Sequence, residues 1–309
     1  MDRFEQKSSA TLELTIRSAG ALVDANGDVN VDAYDGAATK IVDDAVATKP
    51  AETTGTYRYA LQPSQLSTLD DYTAVWKYRL SAGGEVHERP RRFRVVGQFY
   101  CTIDELRNFG ANKTLADPID FPDRKLVNYR ELAEEVLEKE TGLAFCPQGR
   151  RLTLSGRGIA ELSIPMRDAR SVLSVRVGGV ALSAAELEAI VVRPASLVRP
   201  VAWTAGTANV ELHVIRGMDE VPEDVREATM HIVRQRAESR TELDERALTL
   251  SNDAGTQRLA VAGRDGPTGI PYVDATIERW RRYGRRRAYD VLTPAATPSS
   301  LSTTLPTDA

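Results

Sequence analysis

The chain has 309 residues, 42% of them hydrophobic and 27% charged, with a formal net charge of −4 and a pI near 5.6. That length leaves room for two domains, and the composition is that of an ordinary globular protein. The net acidity excludes a global attraction to nucleic acid, so any DNA contact has to be local.

Aromatics make up only 6%, which points to modest cores. No apolar run approaches the roughly 18 residues of a membrane span. The opening MDRFEQKSS lacks the apolar centre of a signal peptide, so the expectation is a protein made and used without export. Cys101 and Cys146 are the only cysteines and show no zinc spacing. They read as isolated reduced thiols, with a disulfide as the other option.

Residues 11 to about 97 carry strand signals. Leu12, Leu14 and Ile16 alternate with polar neighbours, and turn-rich Asp24–Asp28 and Asp35-Gly36 punctuate segments around Val29, Val31, Ile41 and Val42. Thr56–Leu61, Tyr72–Leu80 and His87–Val96 follow, with Tyr72, Ala74, Trp76 and Tyr78 on one face and a hairpin turn at Ser81–Gly84. About seven short strands at this spacing fit a small β-sandwich. Asp24, Asn26, Asp28, Asn30 and Asp32 alternate like calcium ligands, but an EF-hand loop needs Gly where Val29 stands and Glu where Asp35 stands. The expectation is a turn with solvated acids.

After Gly97 the apolar period changes from two to 3.6, which sets a predicted domain boundary at 98. Thr102-x-x-Glu105 is a capping box for a short helix at 102–109 with Ile103, Leu106 and Phe109. A polar loop, Gly110–Asp117, leads to a helix predicted at 122–141. Its apolar stripe is Leu126, Tyr129, Ala133, Val136 and Leu137, and Gly142 is its stop. Glu131, Glu134, Glu135 and Glu138 are assigned to the other face, either solvated or turned toward a channel that carries a duplex.

A β insertion is predicted at about 149–216, with strands at Leu152–Leu154, Ala160–Ile164, Val172–Val177 and Val210–Val214. Gly178-Gly179 makes a two-residue hairpin, and a short helix covers Ala184–Leu187. The next helix, at 222–241, opens with Glu223 and Asp224 and buries Val225, Ala228 and Ile232, widened by Val233 and Ala237. A long glycine-rich loop at 244–270 has no helical period, and compact domains rarely carry one of that length without a function or an ordering partner. Gly269-Ile270-Pro271 starts a final helix at 271–283, which buries Val273, Ile277 and Trp280 and ends at Gly284. The Pro-, Ser- and Thr-rich tail from 285 to 309 is predicted to be disordered alone in water.

Chemistry-bearing patterns are sparse. His87, His213 and His231 have no Cys or His at ligand spacing and read as ordinary surface or boundary residues. No Gly-x-Ser-x-Gly elbow occurs, and Ser155–Gly158 reads as a turn. Gly263, Gly266 and Gly269 lack the Gly-Lys-Ser/Thr of a phosphate-binding loop, and Pro271 offers no N–H. No cofactor or metal is therefore expected. Basic clusters at Arg89/Arg91/Arg92, Arg150/Arg151 and Arg279/Arg281/Arg282 through Arg287 suit docking on an acidic protein surface at least as well as DNA.

Two resemblances can be stated on these residues. Leu66–Gly97, through Tyr72-x-x-x-Trp76 and the closing Phe93-Arg94-Val95-Val96-Gly97, resembles the immunoglobulin-like domains of phage structural proteins. Residues 101–284 resemble the head-to-tail adaptor (connector) proteins of siphophages, especially those infecting actinobacteria. The carrying segments are Val221-Pro222-x-Asp224-Val225-Arg226, Arg246-Ala247-Leu248-Thr249-Leu250-Ser251-Asn252 and Pro267-Thr268-Gly269-Ile270-Pro271-x-Val273-Asp274-Ala275.

The resemblance implies an α+β multidomain chain. An immunoglobulin-like β-sandwich (1–98) precedes a helical adaptor domain with a small β insertion (99–284) and an extended C-terminal arm (285–309). It further implies a virion protein of the head–tail neck, assembled in the host cytoplasm and without enzymatic activity. Copies would form a ring homo-oligomer, commonly a dodecamer, beneath the portal protein. That ring extends the DNA channel, without sequence-specific binding, and meets a stopper protein below. The N-terminal sandwich, which minimal adaptors lack, could face the major capsid protein. No membrane partner is implied.

The portal contacts expected on this basis are Arg285, Arg286, Arg287, Tyr289 and Leu292. An inter-subunit or neck contact is expected at Arg246, Leu248, Leu250, Asn252, Arg258, Arg264, Thr268 and Ile270. The alternative is an immunoglobulin-like adhesive module that binds a cell-surface glycan. An enzyme of unrecognised type is disfavoured by the absence of an acid–base constellation.

Overall fold

The computed structural model describes residues 1–110, 115–238, 249–252, 255–258 and 266–290, with backbone alone for 249–252, 255–258 and 285–290. The chain is α+β. A nine-stranded, mostly antiparallel, curled sheet runs in the order Val180–Ala181, Ala169–Val177, Gly206–Arg216, Gln148–Gly156, His87–Val96, Asp71–Tyr78, Asn30–Tyr34, Lys40–Val46. Asp2–Glu5 adds to it in parallel beside His87–Val96, from Asp2↔Phe93 to Glu5↔Val96.

The sheet crosses the boundary expected at 98. The N-terminal strands and the strands of the predicted insertion are joined where Gln148 pairs with Val96, and Gly97 N–H donates to Pro147 O at 2.8 Å. The insertion is thus a continuation of the N-terminal sheet.

Strand alternation decides which cores form. Tyr72, Ala74, Trp76, Phe93 and Val95 face a second, two-stranded layer of Ala10–Thr15 and Thr56–Leu61, which contributes Leu12, Leu14, Tyr57 and Leu61. Tyr72 and Phe93 stack with ring centroids 5.3 Å apart. The Ala10–Thr15 strand is an edge. Its alternate carbonyls Glu13 and Thr15 accept bonds from the Arg91 and Arg89 guanidinium groups. At the other end Val210, Leu212 and Val214 pack with Leu162, Leu197 and Trp203 beneath a three-stranded sheet. Gly178 and Gly179 have φ of 58° and 81°, the positive values required by the expected two-residue turn.

The described residues include five α-helices: α1 (Ile103–Asn108), α2 (Asp123–Thr141), α3 (Ala184–Glu188), α4 (Glu223–Glu238) and α5 (Pro271–Asp290). The Thr102/Glu105 capping box forms at α1, and Ser183/Glu186 makes a second at α3. Pro122 is the N-cap of α2, one residue outside its expected place, and Gly142 ends that helix in the left-handed conformation. Helices α2, α4 and α5 pack on one another around Leu126, Leu137, Val225, Val233, Val273 and Ile277.

Three expectations are corrected here. Helix α5 passes through Gly284 and continues to Asp290, so the segment after 284 begins as helix. Gly284 is buried, and a Cβ there would meet Leu143 at 3.4 Å. It marks close packing, and the Arg-rich sequence beyond it consists of good helix formers. The 244–270 segment is not structureless, because Thr249–Asn252 pairs with Gly255–Arg258 as an antiparallel ribbon. The acids of α2 do not form a solvated or channel face. Glu134 is fully buried, Glu138 is mostly covered, and of the four only Glu135 is exposed.

Candidate functional site

Two places gather polar side chains from distant parts of the chain. The first is the α4–ribbon–α5 unit. The backbone N–H and Oγ1 of Thr268 donate to Asp274 Oδ1 at 2.9 and 2.7 Å, and Ile270 N–H donates to Thr268 Oγ1. This cap fixes the entry to α5, and Ile270 packs on the helical core. Tyr272 OH donates to Glu227 at 2.7 Å and Trp280 Nε1–H to Asp224 at 2.9 Å, which tie α5 to α4. Burial, then the Glu227 carboxylate, push the Tyr272 hydroxyl up to about 12. Arg281 bonds Glu140 of α2, and Arg279 pairs with Asp224. Outward, α5 presents Ala275, Glu278, Arg282 and Tyr283 along a shallow, solvent-open groove.

The second place is the seam between α2 and the sheet. Arg3, on the parallel strand, inserts its guanidinium between Glu134 (3.1 Å) and Glu138 (2.8 Å), while its backbone N–H donates to Glu131 at 2.7 Å. Glu138 also accepts from Tyr100 OH and Gln148 Nε2, at 2.9 and 2.6 Å. Glu134 accepts from the Tyr100 N–H and lies 3.8 Å from Arg130, whose guanidinium covers the Phe99 ring. Burial pushes the Glu134 carboxyl up. At Glu138 burial acts in the same sense, but Arg3, Gln148 and Tyr100 together bring it below its ordinary value. The acid face of α2 is therefore covered by the N-terminal strand, because Arg3 supplies the countercharge. The sequence signal was present: Arg130, Glu134 and Glu138 are four apart, on the same face as buried Leu126, Ala133, Leu137 and Thr141.

A related junction lies further along the sheet. Arg151 holds Asp70 Oδ2 at 2.8 and 2.7 Å, and the buried His213 ring bonds Leu69 O at 3.0 Å. His213 is thus a core residue, contrary to the expectation of a surface or boundary position, because its strand continues beneath the N-terminal layer. His87 is exposed on its strand. His231 lies between Phe109 and Tyr272, with ring centroids 4.9 and 5.4 Å away.

Of the acids at 24–32, Asp28 is exposed beside the bend at 26–27, as expected, and only Asp32 is reassigned. Asp24 accepts from Gly55 N–H and Lys49. Asp32 is buried, with Lys77 at 2.7 Å, Lys40 at 3.3 Å and Asp44 N–H at 2.7 Å. Its carboxylate is occupied by lysines and is not a solvated turn acid. Cys101 and Cys146 are separate buried thiols that burial pushes up to about 12. Among the described residues, no group of three or more His, Cys, Asp or Glu is placed to hold a metal. Among them, too, no helix is long and apolar enough to cross a membrane.

Of the contact residues expected from sequence, Thr268 and Ile270 are the cap just described. Leu250 and Asn252 fall on the first ribbon strand and Arg258 on the second. Arg285, Arg286, Arg287 and Tyr289 fall on the last turns of α5. Arg246, Leu248, Arg264 and Leu292 lie outside the described residues. No protein-family model matches the chain, and no curated protein matches it.

Proposed function

We propose that this protein is a structural virion component, a head-to-tail adaptor whose copies form a ring beneath a portal protein. The ring extends the DNA channel and meets the next neck protein. The observation that carries the proposal is the ribbon between α4 and α5. Each of its strands has four residues, and among the described residues the two pair only with each other. A lone two-stranded hairpin is marginal in water. It lies in sequence between two helices anchored in the core, a place where an adjacent copy can pack on it. The sequence resemblance covers both ends of the same unit.

The polar clusters agree with a non-enzymatic role. Arg3 with Glu134 and Glu138, and Arg151 with Asp70, are engaged in joining elements. The residues from Arg285 onward, which begin as the end of α5, are assigned to the portal contact, and the N-terminal strands to the outside of the neck. Negative-stain imaging and mass photometry of the full chain, alone and mixed with its cognate portal protein, test this. Rings with an axial opening are expected. A monomer under both conditions would overturn the proposal.

A further inference from the structure

Beside the seam cluster is a cleft of about 280 Å³ that the adaptor role does not use. Its sheet-side wall is basic. Arg94, Arg150 and Arg216 come from three neighbouring strands of the large sheet, at the point where its apolar pattern is interrupted. On the Gln148–Gly156 strand, Gln148 reaches under α2 to Glu138. Leu152 and Leu154 pack in the core beneath the small sheet. Arg150 falls between these two covers.

The three arginines are unequally neutralised. Arg216 is matched by Asp168 at 2.9 and 2.8 Å and by Gly142 O at 3.1 Å. Arg94 and Arg150 share one carboxylate. Arg94 holds Asp71 Oδ1 at 2.5 Å, and both guanidinium groups reach Asp71 Oδ2 at 3.3 Å. Two cations on one anion leave a positive charge at a half-covered position. Burial, and the nearby Arg94 and Arg216, hold the Arg150 guanidinium below its ordinary value, with Asp71 and, more weakly, Glu138 opposing. Lys139 of α2 lines the same cleft and makes no ion pair with the described residues.

We propose that this cleft is a binding site for a compact oxyanion, a phosphate or carboxylate group, received by the Arg150 guanidinium with Arg94 behind it and Lys139 opposite. A planar fork of N–H donors suits both groups, which accept two parallel bonds and supply the missing negative charge. The α2 wall sets the selectivity. Glu131, Glu135 and the Arg3-paired Glu138 line it, and the charge of the first two opposes an extended polyanion such as duplex DNA while leaving room for a small one. The small volume favours the same class of ligand.

The test is calorimetric titration of the full chain with inorganic phosphate and, separately, with citrate, at ionic strength fixed with chloride. Saturable binding of at least one anion is expected, and the tighter of the two identifies the group the cleft prefers. Arg150→Gln is expected to weaken it about tenfold, as for loss of a charge-assisted hydrogen bond. Lys139→Gln, on an exposed helix position that leaves the fold intact, is expected to weaken it less. Absence of saturable binding beyond chloride would overturn the site. So would unchanged affinity in both variants, or displacement of the anion by duplex DNA at equal phosphate concentration.

Discussion

Arg3 exerts more leverage on this structure than any residue near it in sequence. Its side chain is 6% exposed and faces the wholly buried Glu134. Removing one member of a buried, hydrogen-bonded charge pair leaves the other uncompensated, so Arg3→Ala is expected to cost about 3–5 kcal/mol in urea unfolding. Two other buried groups make stability depend on pH. Burial, opposed by Asp70, holds the His213 imidazole below its ordinary 6.5, with Arg151 adding to the depression and Leu69 O and Asp35 opposing it. Its contribution is present above pH 6.5 and is lost as pH falls below that value, where the unfolded chain takes up the proton first. At Asp32 burial opposes the charge, but Lys77, the Asp44 N–H and Lys40 carry it from 3.8 to about 2. That contribution is present above pH 4 and is lost as pH falls toward 2. Urea midpoints measured from pH 8 to pH 2 should therefore decline in two steps, the first absent in His213→Gln and the second reduced in Asp32→Asn, where the Glu138 carboxylate still contributes. These residues were hard to read from sequence because their partners lie far along the chain. Arg3 meets Glu134 across 131 positions, and His213 meets Leu69 across 144.

Elements were more legible than single side chains. The alternation of Tyr72, Ala74, Trp76 and Tyr78, the capping box at Thr102, the Gly178-Gly179 turn and the helix stop at Gly142 are local signals, and the structure honours each. Where two physical meanings compete for one residue, the local signal misleads. Glycine can end a helix or let it pass close to a neighbour, and Gly284 does the second. Gly284→Ala should therefore stabilise the protein by up to about 1 kcal/mol, since alanine favours the helix and its Cβ finds ordinary contact with Leu143. Gly149 is the opposite case. A Cβ there would run into the Leu69 carbonyl oxygen, so Gly149→Ala should lower the melting temperature in the same assay. A fall for Gly284→Ala, or no change for Gly149→Ala, would contradict these readings. The ribbon was missed because Thr249–Asn252 and Gly255–Arg258 are each too short to show a period.

At the scale of the molecule, the change of period after Gly97 is a true sequence feature, yet the large sheet does not stop there. Backbone pairing at Gln148 and Val96 is reinforced by Arg151–Asp70, Arg150–Asp71 and His213–Leu69 across the same join. Residues 1–98 and the later strands should consequently unfold together. Far-ultraviolet and tryptophan signals are expected to give coincident urea transitions, and two well-separated transitions would show that the join is weak. Arg89 and Arg91 act on one margin of the fold. By occupying the Thr15 and Glu13 carbonyls, they deny the outer rim of the Ala10–Thr15 strand to any foreign backbone. Positively charged side chains thus cover a surface on which other chains could otherwise stack as fibrils. Many copies can then be crowded together while this margin stays inert.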